Sequence, residues 1–167
     1  MRNKLPLENR EYIAAIIKER IYGSVTVLAV NIGLLLKDDL TVKHAFIAII
    51  STVVGLWLAG LFASVLSHRV VHDENMSRKQ FIKELGIHRG LLLAGTSSII
   101  MFSLAAIGLI EIHTAIIIDI SLAIVAITIT IMRSAKTSSN SFVTALISIG
   151  IQAVIASAII LLKLGAK

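Results

Sequence analysis

Two histidines stand four residues apart after the second apolar run of the chain, at His68 and His72. On a helix this spacing places both imidazoles on one face, where they can bind one divalent cation. Imidazole combined with carboxylate suits iron, manganese, cobalt or zinc better than calcium or magnesium. The predicted metal ligands are His68, His72, Asp73, Glu74, Glu84 and His88. The alternative is a solvated polar loop whose histidines bind no metal.

A carboxylate also lies inside an apolar run, at Asp119, four residues from the start of the run 115–132. Ionisable groups in membrane spans usually belong to an ion pathway or a proton relay. The alternative is an interfacial carboxylate that reaches water or pairs with a neighbour, because Asp119 lies only about 6 Å along its helix. Asn31 is the second candidate pathway residue, although neutral amides more often hydrogen-bond between helices. The serines of the run 96–98 line a polar cavity or bond their own backbone.

The composition places these residues in a membrane protein. Of 167 residues, 56% are hydrophobic and 16% are charged, and the mean hydropathy is +0.90. Soluble domains carry about 25% charged residues. Long continuous apolar runs favour helices over a closed barrel, which needs short alternating segments. The sequence therefore predicts an all-α integral membrane protein, a single domain over 1–167, with five spans at about 21–36, 45–66, 91–110, 115–132 and 142–162.

The basic residues predict the orientation of these spans. Placing the N-terminus in the cytoplasm puts 12 Lys and Arg residues inside and 4 outside, as the positive-inside rule requires. The C-terminus is then external. This topology accounts for the net charge of +6 without nucleic acid, for which the chain has no recognition motif. The absence of a targeting signal favours a bacterial cytoplasmic membrane.

Two amphipathic stretches are expected at the cytoplasmic face, one at 10–20 and one within the predicted loop 67–90. Each has an apolar face opposite charged residues and should lie along the inner headgroup layer. The two stretches align without gaps at an offset of 69 residues, which also matches Arg20 with Arg89 and His44 with His113. The offset suggests an internal repeat in parallel orientation, although apolar sequences also match by chance.

Small residues recur at every fourth position of the second predicted span. Such a stripe allows another helix to approach closely. The partner is either a helix of the same chain or the same helix of a second protomer, and a transporter of this size favours a homodimer or higher homo-oligomer. The stripe consists of Ser51, Gly55, Ala59, Ala63 and Ser67.

Enzymatic chemistry has no support in the sequence. The chain contains no cysteine, no Gly-x-Ser-x-Gly and no His-Glu-x-x-His motif. An intramembrane enzyme needs paired functional groups at matched depth, whereas the spans offer one carboxylate. We therefore expect no enzyme and no certain cofactor, apart from a candidate divalent metal.

The segment Leu58–Ser67, with its Ala-Gly-Leu and Leu-Ser elements, is similar to the second span of the vacuolar iron transporter family. The five predicted spans and the charged cytoplasmic segment also resemble that family. The resemblance implies export of ferrous iron or manganese in exchange for protons. His68 and His72 then stand where the family has a methionine and a glutamate, and Tyr22–Thr26 lacks the family's aspartate.

These observations predict a small homo-oligomeric transporter of a divalent cation, with a cytoplasmic capture site of histidines and carboxylates. The competing hypothesis is a non-transporting membrane subunit or scaffold. Such a subunit would pack against itself or a larger membrane partner through the stripe of small residues.

Overall fold

The computed structural model describes residues 6–135, together with positions 147 and 150. Within these residues all regular structure is helical and there is no strand, which confirms the predicted all-α class. The helices are α1 (Leu7–Leu35), α2 (Val42–His72), α3 (Arg78–Ala94), α4 (Thr96–Ala106) and α5 (Ile112–Ala135).

Three helical segments are long and apolar enough to cross a membrane: Val42–His72, Arg78–Ala106 and Ile112–Thr130. The prediction of helices that can span a membrane is confirmed for these three segments. The count of five spans and the orientation stay predictions. The first predicted span, 21–36, lies in the second half of α1, where every membrane-length stretch includes the charged residues 18–20. Apart from positions 147 and 150, the fifth predicted span lies outside the described residues.

The helices are longer than the apolar runs. The amphipathic stretch 10–20 continues directly into the apolar part of α1, and the predicted loop 67–90 is reduced to residues 73–77. Local capping sets these limits. Asp73 ends α2 in the left-handed conformation at φ 53°, and Ser77 begins α3 by forming a capping box with Gln80.

Helix α1 and the α3–α4 segment run parallel and pack closely. A Cβ atom at Gly90 would lie 3.1 Å from the Ile16 carbonyl oxygen, and one at Gly23 would lie 2.9 Å from Ala94 Cβ. Helix α2 packs antiparallel on α3 and α4, and α5 packs on α1 and α4. Glycine permits these backbone approaches because it has no side chain.

The helices repeat at a spacing one or two residues longer than the 69-residue offset of the sequence. Helix α1 spans 29 residues, and the α3–α4 segment also spans 29. The starts and ends of these two segments are 71 residues apart, and the starts of α2 and α5 are 70 apart. Of the two antiparallel helices, α1 packs mainly on α5, and the α3–α4 segment packs mainly on α2. Each of these parallel segments therefore packs more on the antiparallel helix of the other half of the chain than on that of its own half.

The apolar core lies between the helices, toward the C-terminal ends of α1 and α4. The Phe46 and Phe102 rings pack edge to face there, with centroids 5.9 Å apart. Their neighbours come from α1, α2, α4 and α5, so the core holds four helices in register. Its fully buried members include Val27, Ile49, Phe102, Ala115 and Ile116.

Candidate functional site

Three polar side chains from three helices meet inside the core, and we call them the Asp119 cluster. They are Asn31 of α1, Ser98 of α4 and Asp119 of α5, and each is 0% exposed. Polar groups in a protein interior are expected to be hydrogen-bonded. Their complete burial in an apolar bundle therefore makes every contact they form important to the fold.

One oxygen of Asp119 receives the hydrogen bonds of the cluster. Asn31 Nδ2 donates to Asp119 Oδ2 at 2.6 Å, and the Ser98 hydroxyl donates to the same oxygen. Asn31 Nδ2 also lies 3.5 Å from Ser98 Oγ. Two further oxygens, Asn31 Oδ1 and Asp119 Oδ1, are buried without a hydrogen-bond partner. The cluster therefore has acceptor capacity that the described side chains do not use.

A tightened helical turn at Gly95 lies near this cluster. Helix α3 ends at Ala94 and α4 begins at Thr96, so Gly95 separates the two, three residues before Ser98. A Cβ atom at Gly95 would lie 2.8 Å from Val53 Cγ2, which shows how tightly α2 packs on this turn. Gly95 itself has right-handed helical dihedral angles, φ −85° and ψ −3°, so α3 and α4 together form one helical segment of 29 residues.

A second polar group, the His88 cluster, joins α1, α2 and α3. His88 is 5% exposed, and its Nε2 lies 2.9 Å from Ser64 Oγ. Glu19 Oε2 lies 3.5 Å from Nδ1, and Glu84 Oε2 lies 3.6 Å from Nε2. The imidazole thus has a carboxylate at each nitrogen, one from a neighbouring helix and one from its own.

The position of His88 depends on a glycine of α2. A Cβ atom at Gly60 would lie 2.8 Å from His88 Nδ1 and 3.0 Å from its Cε1. Glycine at this position leaves room for the ring between the helices. The two carboxylates approach opposite nitrogens, so one ion in this arrangement cannot contact the ring and both acids.

The structure divides the six predicted metal ligands into separate groups. His68 and His72 form a ring pair on α2 with centroids 4.5 Å apart, whereas Glu84 and His88 belong to the His88 cluster. Asp73 and Glu74 are exposed at the end of α2. Among the described residues, no three His, Asp or Glu side chains are arranged to hold a metal ion.

The predicted stripe on α2 lies on an exposed face. All five members, Ser51, Gly55, Ala59, Ala63 and Ser67, are exposed. A Cβ atom at Gly55 would meet nothing within 4 Å. No described helix therefore occupies the close approach that these small residues permit.

Sequence reasoning identified Asn31 and Asp119 separately but not their pairing, and it gave Ser98 little weight. It also missed Glu19 and Ser64. One signal was available for Glu19, because Glu19 and His88 are 69 residues apart, the offset of the suspected repeat. When two parallel repeated helices pack together, equivalent positions can meet at their interface.

Comparisons with protein-family models, with curated proteins and with solved structures find no match to this chain. The resemblance to the vacuolar iron transporter family therefore stays a prediction from the sequence.

Proposed function

We propose that this protein transports cations across a membrane, with a divalent metal such as iron or manganese as its cargo. The observation that carries the proposal is the Asp119 carboxylate. It is 0% exposed within a helix apolar enough to cross a membrane, and one of its oxygens lacks a partner. Charged groups are costly in such positions and mark ion pathways.

The two polar clusters suggest a route along α1. Glu19 and Asn31 are twelve residues apart on this helix, which corresponds to about 18 Å. Between them the interface with α3 is apolar, with Val27 and Leu91 buried. A cation would enter from the cytoplasm at the His88 cluster, where two carboxylates attract it, and the apolar segment would separate it from the Asp119 cluster.

The pair formed by the half-buried His68 and the exposed His72 lies at the end of α2. In the predicted orientation this end is cytoplasmic, so the pair would collect metal before it reaches the His88 cluster. The i, i+4 spacing supports two imidazole ligands on one ion. Water would complete the coordination at such an open position.

The exposed stripe on α2 supports a homodimer or a higher homo-oligomer in this proposal. Small residues allow helix backbones to approach closely in lipid. Gly55 and Ala59 are exposed, and no atom of another described helix lies within 4 Å of a Cβ atom at Gly55. The same observation favours the second candidate, a non-transporting subunit that packs against a larger membrane partner. A location in the bacterial cytoplasmic membrane and the lack of enzymatic activity remain predictions from the sequence.

The proposal is tested by manganese uptake into proteoliposomes containing the full-length chain. We expect wild-type uptake above protein-free liposomes, and Asp119→Asn should reduce it to that background because the protein loses the one carboxylate that is fully buried among the described residues. The matched control is Glu111→Gln, which removes an exposed carboxylate at the start of α5 and should retain uptake.

A second variant tests the capture step. His68→Ala with His72→Ala should raise the manganese concentration needed for half-maximal uptake while leaving the maximal rate nearly unchanged. No uptake of iron, manganese, cobalt or zinc by the wild type, together with co-purification of a second membrane protein, would overturn transport in favour of the subunit.

A further inference from the structure

We infer that the Asp119 cluster binds a small monovalent metal cation, such as sodium, which is distinct from the divalent cargo. The inference rests on the proposed function only in giving this ion the role of a coupling ion. Binding itself does not require transport and can be measured without it.

The charge of the site favours a monovalent ion. The cluster contains one carboxylate, and no basic side chain pairs with it among the described residues. One monovalent cation neutralises an ionised Asp119, whereas a divalent cation would leave an uncompensated positive charge in the apolar interior. Burying an unpaired charge is strongly unfavourable.

The donor atoms are those that hard cations prefer. The cluster offers a carboxylate oxygen, an amide oxygen and a hydroxyl oxygen, with no nitrogen or sulfur acceptor. Oxygen ligands suit hard cations, while imidazole and thiolate suit the later transition metals. The ligand set of the Asp119 cluster therefore differs from that expected for the proposed cargo.

The unpartnered oxygens supply a specific position for the ion. Asn31 Oδ1 and Asp119 Oδ1 are both fully buried and lack partners. A buried polar group without a partner costs about 1–3 kcal/mol. We assign the ion to these two oxygens, which come from helices α1 and α5, and Ser98 Oγ lies within the same cluster.

A tightened turn at Gly95 lies three residues before Ser98. The Gly95 amide bonds to the Leu92 carbonyl, three residues back, at 3.3 Å, whereas the Gly95 carbonyl accepts the Ile99 amide at 3.0 Å in the normal helical pattern. Because the chain stays helical through Gly95, the inference rests on the oxygens of the cluster itself. By contrast, the His88 cluster combines two carboxylates with an imidazole, so its chemistry differs from the all-oxygen set of the Asp119 cluster.

The experiment uses the purified full-length chain in detergent at pH 8. Its melting temperature is measured while sodium chloride replaces choline chloride at constant ionic strength. A ligand that binds the folded state raises stability with saturation, so we expect a saturable rise with sodium. Asp119→Asn should abolish the rise, and Ser98→Ala should shift its midpoint to about tenfold higher sodium because one oxygen ligand is lost.

Two matched controls keep all three oxygens of the cluster. Glu111→Gln removes an exposed carboxylate, and Ser103→Ala removes an exposed serine of α4 that bonds its own backbone at Ile99. Both should retain the wild-type sodium response. If Asp119→Asn does not fold, Ser98→Ala compared with Ser103→Ala still decides the question.

Equal melting temperatures of the wild type in sodium and in choline would overturn the inference, as would a sodium response unchanged in both Asp119→Asn and Ser98→Ala. Stabilisation by manganese through Asp119, without any by sodium, would overturn it as well. Sodium binding without metal uptake in proteoliposomes would support this inference and contradict the proposed function, so the two failures are distinguishable.

Discussion

The Asp119 and His88 clusters lie on the same parallel helix pair, yet they differ in burial and in charge. All three side chains of the Asp119 cluster are fully buried. In the His88 cluster, the side chains of Glu19 and Glu84 remain 15% and 27% exposed. One cluster thus combines a single acid with neutral polar partners, and the other combines two acids with an imidazole.

In the proposed transporter, this difference would give one helix interface two kinds of polar site. Short side chains fix the Asp119 cluster, because Asn, Ser and Asp have few rotatable bonds and are enclosed by the core. Glutamates are longer and partly solvated, so they can turn toward an arriving cation with little loss of packing. We propose that the first cluster binds one ion selectively and that the second cluster captures and releases the cargo.

The largest loss of stability is expected when the Asn31 amide is replaced by an apolar side chain. Asn31→Leu removes the amide that donates to Asp119 Oδ2 at 2.6 Å and leaves the buried carboxylate with the Ser98 hydroxyl as its only hydrogen-bond donor among the described residues. We expect the free energy of unfolding to fall by about 3 kcal/mol. Reversible unfolding in mixed detergent–SDS micelles measures this loss.

The matching deletion in the other cluster is Ser64→Ala. It removes the hydroxyl 2.9 Å from His88 Nε2. Glu84 Oε2 remains 3.6 Å from the same nitrogen, and the Glu84 side chain is 27% exposed to water. We expect a loss of about 1 kcal/mol. Equal losses for Asn31→Leu and Ser64→Ala would contradict the distinction between a closed and a half-open cluster.

The sequence was sufficient for the helical class because apolar runs such as 45–66 identify membrane helices by length and composition. Asp119 stood out for the same reason, as a carboxylate in an apolar run. Its partner Asn31 is 88 residues away in the chain. Apolar helix faces resemble one another, so their packing register could not be read from one sequence.

His88 illustrates the limit of local spacing rules. The i, i+4 rule placed His88 with Glu84, and the structure has them 3.6 Å apart. The rule does not say which helix face is buried, and so it did not separate His88 from the exposed His72. The deciding residue is Gly60 of α2, whose missing side chain makes room for the imidazole.

A further loss of stability is expected when this space at Gly60 is filled. Gly60→Ala places a methyl group 2.8 Å from His88 Nδ1, so the ring must move away from Ser64 and Glu19. We expect a destabilisation of about 1–3 kcal/mol, as in other overpacked sites. Unfolding in mixed micelles reports the loss, and the histidine ring signals in NMR spectra report the displacement.

Gly55→Ala is the control on the same helix. Its new methyl group meets nothing within 4 Å, so replacing this glycine should leave stability unchanged or raise it by about 0.5–1 kcal/mol. A loss at Gly55 as large as that at Gly60 would show that glycine in α2 serves helix packing in general and not the placement of His88.

The smallest effect on stability is expected at the pair of the half-buried His68 and the exposed His72. His68→Ala with His72→Ala should change the free energy of unfolding by no more than about 0.5 kcal/mol, because surface substitutions rarely exceed this value. Cobalt affinity measured by calorimetry should nevertheless fall, since both imidazoles of the pair are lost. The control His44→Ala with His113→Ala removes two exposed histidines that lack this spacing, and an equal fall there would exclude the pair as a site. Low stability cost together with specific loss of affinity would separate this outer pair from both buried clusters, whose polar groups serve the fold as well as the ion.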